Sequence, residues 1–362
     1  MPVYTYYDPD TDGEVYHVVP DSDQDDYVST LESQTESMDS CTTIQSDELP
    51  EQETDVPLEG YFVVHNGRQQ PAIDNVAKFF PTDNVRRYIL KYFIDKSLLG
   101  GDYLGPVRDV LAPVRGREKY VLDLRTTTGT WTQSMAAEFP HVQFRSVDIV
   151  PIISHIQRPN ITFEAYDFTE GLMLEDESQD AVFINHVGEM WYKQVKDYPA
   201  LLRESHRVLR PGGFVHIVEH QVQGWGPENM SELSHRTNPI GCRFLEIARE
   251  QMSVVEIDPD APIKIAGWLA SNSNVWRGVK RQNVGFERIE SVVRAYPVYP
   301  HDGFPCASSV EAHMIPFIRN LTMNSVQDLF SALRDRGIEK EKAEQMIEAA
   351  IDEAKQPERK IE

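Results

Sequence analysis

The chain has 362 residues, of which 58 are Asp or Glu and 35 are Lys or Arg, so its formal net charge is -23. An apolar content of 40% is enough for a sizeable core. The acidic balance and the lack of a Lys/Arg-rich run argue against nucleic-acid binding, which depends on neutralising phosphates. No run reaches the roughly 18 apolar residues of a membrane span, and no secretory signal opens the chain, so we expect an intracellular protein, cytoplasmic, nuclear or both.

The three cysteines, Cys41, Cys242 and Cys306, are widely spaced and include no Cys-x-x-Cys pair. This spacing predicts neither a disulfide framework nor a zinc site. No His, Cys and Asp cluster along the sequence has metal-ligand spacing, so we expect reduced thiols and no metal.

The first 59 residues form an acidic tail. Residues 1–60 hold 17 Asp plus Glu and no Lys or Arg. We expect this tail to be disordered, because such a composition cannot bury enough apolar surface to offset the entropy of ordering. It is either a solvated leader, which is the commoner meaning of acidic composition, or an arm that binds a basic protein partner through its tyrosines.

A helix signal follows the tail. Pro81-Thr-Asp-Asn84 reads as a turn in which Asp83 or Asn84 caps the helix. An apolar stripe at helical spacing comes next, formed by Val85, Tyr88, Ile89, Tyr92 and Phe93. The spacing alone leaves open whether this helix packs on the core or covers a ligand site.

The stretch from residue 120 to 131 reads as a buried strand, a turn and the start of a helix, and residues 144–148 read as a second strand. A nucleotide-binding βαβ unit of this kind needs an acid about 20 residues after its glycines to hydrogen-bond a ribose. Asp148 meets this requirement, because it lies 19 residues after Gly129.

The glycines themselves are mostly replaced. An Asp-x-Gly-x-Gly-x-Gly turn that starts at Asp123 has Arg125 and Thr127 in place of its first two glycines and retains only Gly129. Glycine is used in such turns because the backbone bends sharply and approaches the ligand closely. The turn is therefore a degenerate form of the motif.

Further strands and helices repeat along the chain. Residues 161–167, 180–186 and 214–219 read as strands, and residues 198–209 form an amphipathic helix that we expect to stop at Arg210-Pro-Gly-Gly213. Repeated strand, helix and strand units predict an α/β fold with a doubly wound, mostly parallel sheet and helices on both faces. Two apolar stripes separated by Arg336-Gly337 predict a C-terminal helical hairpin.

This pattern resembles a class I S-adenosylmethionine-dependent methyltransferase. The phrases that carry the likeness are "YVLDLRTTTGTW", "FRSVDIVP", "FEAYDF" and "HRVLRPGGFVHIVE". The flanks, including "VGFERIESVVRAYPVYP" and "LRDRGIEKEKAEQMIEAAIDE", are similar to the fungal group that includes LaeA-type regulators of secondary metabolism. The resemblance covers residues 60 to 356 and divides the chain into a tail (1–59), a methyltransferase-like domain with N-terminal lid helices (60–300) and a helical extension (301–362).

The resemblance also implies a cofactor site. It implies that Asp148 accepts from the ribose hydroxyls and that Asp167 accepts from the adenine amino group, with Phe168 beside the ring. It implies that the turn cradles the methionine end; the turn positions are Asp123, Arg125, Thr127 and Gly129. Asn185, at the end of the fourth strand, faces the same edge as the cofactor. Each carboxylate has a plainer alternative, since Asp at a strand end is often only a cap.

Arg125 is in tension with this site, because its charge opposes the sulfonium. At ~5 Å and an effective dielectric of ~20 the repulsion is on the order of 3 kcal/mol. Compensation requires the guanidinium to leave the pocket or to meet the ligand's carboxylate. We therefore keep two alternatives to a methyltransferase: a methyltransferase-fold pseudoenzyme that acts as an interaction module, and a nicotinamide-dependent oxidoreductase, which rests on fold analogy alone.

The acceptor side offers a candidate base. His186 and Glu189 follow the fourth strand and could remove a proton from a small-molecule or protein acceptor, which the sequence does not identify. A His or Glu at a strand end is more often a packed and hydrogen-bonded neighbour.

Overall fold

A computed structural model of the chain describes residues 3–8, 13–18 and 60–356, except for 74–77, 79–80, 191–197, 222, 225–234, 236–237, 255–256, 282–283, 296 and 302–309. The chain divides into two compact units, Met1–Pro57 and Leu58–Glu362. Within the part that the structure describes, no helix is long and apolar enough to cross a membrane.

The first unit contains an antiparallel hairpin. Strand β1 (Val3–Asp8) pairs with β2 (Gly13–Val18). The prediction of a fully disordered tail did not include this hairpin, which alternating valines and aromatic residues favour. The rest of the predicted tail, up to residue 59, lies outside the described residues.

The second unit contains a five-stranded parallel sheet in the order β7-β6-β5-β8-β9. Because β6 and β7 extend from β5 to one edge and β8 and β9 extend to the other, the strand order reverses between β5 and β8. Such a switch point opens a crevice at the carboxyl ends of the strands, where doubly wound sheets bind ligands. The strands are β5 (Lys119–Leu124), β6 (Val142–Asp148), β7 (Ile161–Ala165), β8 (Gln179–Asn185) and β9 (Leu209–Val218). A short hairpin precedes them, formed by β3 (Phe62–His65) and β4 (Arg68–Pro71).

Helices cover both faces of the sheet, as predicted. Alternate strand residues point to opposite faces, so Leu122 and Val182 belong to one buried cluster and Val121 and Phe183 to another. The helices are α1 (Val85–Leu99), α2 (Val107–Val110), α3 (Thr130–Glu138), α4 (Tyr198–Val208), α5 (Pro239–Val254), α6 (Ala261–Leu269), α7 (Ile315–Asp328), α8 (Phe330–Asp335) and α9 (Lys340–Lys355).

Helix α1, the predicted lid, begins as predicted but buries a different face. Asn84 is its cap, since its side chain accepts from the Arg87 amide, whereas Asp83 pairs with Arg68. The buried residues are Arg87, Tyr88, Leu90, Lys91 and Ile94, and Phe93 of the predicted stripe is 41% exposed. The prediction was wrong in part because two cations on the buried face have carboxylate partners, such as Asp328 beside Arg87 at 2.9 Å.

Two other predictions concern the ends of elements. The predicted helical hairpin is present, with a break at Gly337, where φ is 78°, and its apolar residues pack with those of α5. The turn predicted at Arg210-Pro-Gly-Gly213 lies within β9, which begins at Leu209 directly after α4, and Gly212 has a φ of 79° there. A register shift against β8 accommodates it, and a Cβ at Gly213 would lie 2.9 Å from the Arg210 carbonyl oxygen. The domain boundary near residue 300 stays a prediction.

Candidate functional site

Four predicted site residues lie along the carboxyl edge of the sheet. Asp123 is near the end of β5, Asp148 ends β6, Asn185 ends β8 and Asp167 follows β7. Their common edge confirms the placement that the strand pattern predicted. The crevice between β5 and β8 is therefore the candidate site.

The turn after β5 has a left-handed backbone at three positions, two of which hold residues other than glycine. The φ angles of Arg125, Thr127 and Gly129 are 80°, 49° and 71°. A left-handed conformation costs a residue with a side chain on the order of 1 kcal/mol, so the fold holds this loop in place. The holding contacts are hydrogen bonds from the amides of Arg125 and Thr126 to the Val147 carbonyl, at 2.8 and 3.2 Å.

Asp148 fixes the same loop. One carboxylate oxygen accepts from the Thr127 amide at 2.8 Å, and the other accepts from the Ile149 amide at 2.8 Å. Burial raises the pKa of Asp148 to about 6, although these hydrogen bonds and the charge of Arg125 act to lower it. A carboxylate oxygen can accept more than one hydrogen bond, so both oxygens can still receive a ribose hydroxyl.

Both carboxylate oxygens of Asp123 accept hydrogen bonds from other side chains of the protein. The hydroxyls of Thr132 and Ser146 donate to one of its oxygens at 2.6 Å each, and the Asn185 amide donates to the other at 3.1 Å. Burial raises its pKa to about 6. These bonds join β5, β6, β8 and α3, so Asp123 and Asn185 have structural roles here, and their predicted contact with a cofactor stays a prediction.

The Arg125 side chain crosses the switch point. It is 6% exposed, its guanidinium donates to the carbonyl oxygen of His186 after β8, and it lies 5.8 Å from the Tyr88 ring centroid. The guanidinium thus bridges the two strands between which the crevice opens, under a residue of the lid helix. It does not point out to solvent.

Asp167 and Phe168, for which the resemblance implies contacts with the adenine, have other partners in this structure. Asp167 caps a short 3-10 helix, Phe168–Glu170, by accepting from the Thr169 amide at 3.0 Å. Phe168 is 1% exposed and belongs to the buried apolar cluster that also contains Leu122 and Val182. In this arrangement Asp167 has the capping role that its sequence position also allowed.

Gly129 has a neighbour that the sequence did not predict. A Cβ at Gly129 would lie 2.8 Å from Nδ1 of His155, whose ring stacks on Phe163 at 4.1 Å. Burial lowers the pKa of His155 to about 4, so this ring is neutral near pH 7. No sequence spacing connects these residues, which meet only because β6 and β7 bring them together.

Of the two candidate bases, the structure describes the side chain of His186 but not that of Glu189. His186 is 9% exposed and its Nε2 lies 2.8 Å from a carboxylate oxygen of Asp95 on α1. Glu189 lies in a 3-10 turn, Val187–Met190, and its side chain is outside the described residues. Asp95 and Lys91 were missed from the sequence; their four-residue spacing on the lid helix was the available signal.

Comparisons with known proteins agree with this architecture. A family model described as a methyltransferase domain matches residues 121–213. The secondary metabolism regulator laeA of Coprinopsis cinerea is 26% identical over 209 residues, which are 56% of this chain and 48% of that protein. The demethylmenaquinone methyltransferase of Chlorobaculum parvum is 32% identical over 109 residues, 29% of this chain and 43% of that protein. The chain thus spans about half the length of these curated relatives.

A solved phosphoethanolamine N-methyltransferase 2 of Haemonchus contortus, in complex with S-adenosyl-L-methionine, aligns with a TM-score of 0.29 at 21% identity and covers 44% of this chain and 38% of that one. This chain has the strand order β7-β6-β5-β8-β9, a loop after β5 and an acid, Asp148, at the end of β6. Residues 121–213 match a methyltransferase domain, and part of the chain is similar to the secondary metabolism regulator laeA.

Proposed function

We propose that this domain transfers a methyl group from S-adenosylmethionine to an acceptor. The observation that carries the proposal is the left-handed backbone at Arg125, Thr127 and Gly129. In a glycine-rich turn it is the path of the backbone that cradles the ligand, and glycine is the residue that adopts this path at least cost. Here the same path is held by hydrogen bonds although two side chains oppose it.

The residues present fit an adenosyl group at the end of β6. Asp148 is buried at the position where a ribose acid is required, and its oxygens have lone pairs beyond the two that accept backbone amides. The Arg125 guanidinium departs from the family pattern. It fits the carboxylate end of a methionyl group, provided that it gives up its hydrogen bond to the His186 carbonyl.

When bound, S-adenosylmethionine supplies an activated methyl group. The contribution of this chain is therefore to hold donor and acceptor in line and to exclude water. Asp148 would hold the ribose and the loop would hold the methionyl end, while the ring of Tyr88 on α1 lies 5.8 Å from the Arg125 guanidinium. Asp123 would act on this site indirectly, because Ser146, which donates to it, also hydrogen-bonds to the Thr126 hydroxyl in the loop.

We also propose a biological setting for the reaction, namely fungal secondary metabolism, while the methyl acceptor is not identified. The likeness to laeA supports a place in fungal secondary metabolism. The likeness to the methyltransferase pytC of Aspergillus terreus, 29% identical over 110 residues, supports methyl transfer. Both likenesses cover only part of each relative, 48% and 32%. Binding of a basic protein partner by the acidic tail is a separate proposal that rests on composition alone.

The second candidate function is a methyltransferase-fold pseudoenzyme. One observation favours it: the Arg125 guanidinium is buried in the crevice, bonded to His186 and close enough to Asp148 to lower its pKa. If this arrangement is permanent, the side chain takes the place of the ligand and the domain serves as an interaction module.

Calorimetric titration of the full chain with S-adenosylmethionine and with S-adenosylhomocysteine tests the proposal. We expect micromolar binding that Asp148→Ala weakens by about 10- to 150-fold, the equivalent of ~1.5 to 3 kcal/mol for hydrogen bonds to a charged group. Asp176→Ala is the matched control, because it removes the same charge from a carboxylate whose side chain is 68% exposed. Equal affinity in wild type and Asp148→Ala would defeat the assignment of Asp148.

A further inference from the structure

A buried carboxylate joins the start of α1 to the C-terminal helix α7. Asp328 ends α7 and is 2% exposed. One of its oxygens lies 2.9 Å from Nε of Arg87, in the first turn of α1, and accepts from the Asn84 side-chain amide at 2.8 Å. Arg68 on β4 lies 3.3 Å from the other oxygen. A residue 244 positions later in the chain than the cap of α1 therefore holds the start of that helix.

Arg87 is buried together with this counter-charge, since only 3% of its side chain is exposed. Loss of one partner of a buried ion pair is strongly destabilising, because it leaves an uncompensated charge out of water. Without the charge of Asp328, the Arg87 guanidinium would have to move toward water, and the first turn of α1 would move with it. Asp328 therefore fixes the position of that turn.

Tyr88, the next residue of α1, connects this ion pair to the candidate site. The Arg87 guanidinium lies over its ring, 4.3 Å from the centroid, and the Arg125 guanidinium lies 5.8 Å from the same centroid. Cations within about 6 Å of a ring centroid are attracted to the ring. The Tyr88 side chain, 7% exposed, thus contacts both the cation that Asp328 holds and the cation in the crevice.

Other contacts hold the rest of α1 between the same two parts of the protein. Leu90 and Ile94 share a buried apolar cluster with residues at the start of α7 and within it. Toward the end of α1, the Asp95 carboxylate lies 2.8 Å from Nε2 of His186 and 3.1 Å from Nε2 of His220, which follow β8 and β9. Helix α1 therefore contacts both α7 and the carboxyl edge of the sheet. The apolar partners of Leu90 and Ile94 are Met314, Ile318 and Leu321.

We propose that Asp328 is a positioning residue for cofactor binding, although it lies in the predicted helical extension and does not line the crevice. Its carboxylate fixes Arg87, and Arg87 fixes the Tyr88 ring. The ring in turn limits the positions of the Arg125 guanidinium, which meets the carboxylate of the bound methionyl group. This proposal rests on the proposed function. It makes α7 a place from which cofactor affinity can be changed without contact with the ligand, as coupling between separate sites requires.

Cofactor affinity is measured by calorimetric titration of the full chain with S-adenosylmethionine. We expect Asp328→Asn, which removes the charge with little change of shape, to bind about 5- to 150-fold more weakly than wild type. Asp180→Asn is the matched control, because Asp180 is also buried between cations, Arg117 and Lys119, but lies near the start of β8, at the opposite edge of the sheet. We expect this control to lose stability in urea and to keep wild-type affinity. Equal affinities of Asp328→Asn and wild type, or an equal loss in the control, would overturn the proposal.

The path of the effect is tested by repeating Asp328→Asn in the backgrounds Arg87→Met and Tyr88→Leu. If the carboxylate acts through these two side chains, its loss changes the affinity by less than about twofold in either background. A full effect in either background would show that Asp328 acts by another route and overturn the proposal. Arg87→Met alone removes the same ion pair and leaves Asp328 paired with Arg68, so it shows the same loss of affinity even if Asp328→Asn does not fold.

Amide hydrogen exchange of the unliganded protein separates failure of this proposal from failure of the proposed function. We expect faster exchange than in wild type both in α1 and in the loop 125–129 of Asp328→Asn, and of Arg87→Met, but not of Asp180→Asn. Absence of cofactor binding by wild type would defeat the proposed function, while the exchange pattern would still decide whether Asp328 holds the loop. Unchanged exchange of the loop in Asp328→Asn and Arg87→Met would overturn the proposal.

Discussion

Asp123 and Asp148 end neighbouring strands, are both almost fully buried, and both have a pKa raised to about 6 by burial. Their surroundings nevertheless differ. Asp123 accepts from three side chains that belong to three other elements, whereas Asp148 accepts from two backbone amides in and beside the loop and lies under the charge of Arg125. The comparison teaches that a buried strand-end acid is structural when side chains use both its oxygens, and available to a ligand when backbone amides hold it in place.

The largest expected effect is the difference in the free energy of unfolding between Asp123→Ala and Asp148→Ala. Asp123→Ala leaves the Thr132 and Ser146 hydroxyls and the Asn185 amide without their acceptor, so we expect a loss of ~2 to 4 kcal/mol in the free energy of unfolding, measured with urea. Asp148→Ala frees only two backbone amides and should cost less. An Asp148→Ala variant less stable than Asp123→Ala would reverse the comparison.

The pH dependence of binding sharpens the comparison. Because the pKa of folded Asp148 is about 6, lowering the pH below 6 protonates the carboxyl, which then loses the charge that accepts ribose hydroxyls. We expect the affinity for S-adenosylmethionine to fall by up to about tenfold per pH unit below that value. Arg125→Gly removes the charge that lowers this pKa, so the midpoint of the pH dependence of binding should move to higher pH. An unchanged midpoint would show that Arg125 does not influence the pKa of Asp148.

The same two shifts predict the sign of the pH dependence of stability. An acid whose pKa is raised from 3.8 to about 6 on folding binds more protons in the folded state between these values. The contribution of Asp123 and Asp148 to the free energy of unfolding is therefore greatest below pH 4 and is lost as the pH rises through 6. Asp123→Asn should flatten this part of the profile, and an unaltered slope in that variant would assign the proton uptake elsewhere.

The smallest effect is expected for Arg125→Gly in the strained loop, and Gly129→Ala in the same loop is its contrast. Arg125→Gly relieves a left-handed φ but removes the bond to the His186 carbonyl, so we expect a change within ~1 kcal/mol of wild type in urea unfolding. Gly129→Ala introduces both an unfavourable φ and a Cβ 2.8 Å from His155, and should destabilise by ~1 to 3 kcal/mol. Equal costs for the two variants would show that the loop is not held as described.

Much of the sheet edge could be predicted because short apolar runs mark buried strands, and the acids that end them then fall on one edge. The face that α1 buries could not be predicted, because Arg87 points inward to Asp328 and Lys91 contacts His220, both far away in the sequence. The cluster of Asp95, His186 and His220 was hidden for the same reason: these residues meet only in the folded sheet.

The loop shows a different limit of sequence reasoning. Arg125 and Thr127 each disfavour a positive φ, so their local preferences argue against the backbone that the structure shows. What outweighs these preferences is tertiary: the Val147 carbonyl and the Asp148 carboxylate bind the loop amides. The sequence could locate the turn but not establish that its shape survives the loss of two glycines.

The central claim is that this loop binds S-adenosylmethionine with Arg125 in place. The most direct test is calorimetric titration of wild type beside Arg125→Gly combined with Thr127→Gly. The account predicts micromolar binding in wild type and at most a tenfold change in the double variant, because the backbone path is already formed and the guanidinium can meet the ligand's carboxylate. No binding by wild type at millimolar ligand, with binding gained in the double variant, would contradict it and establish that Arg125 closes the site.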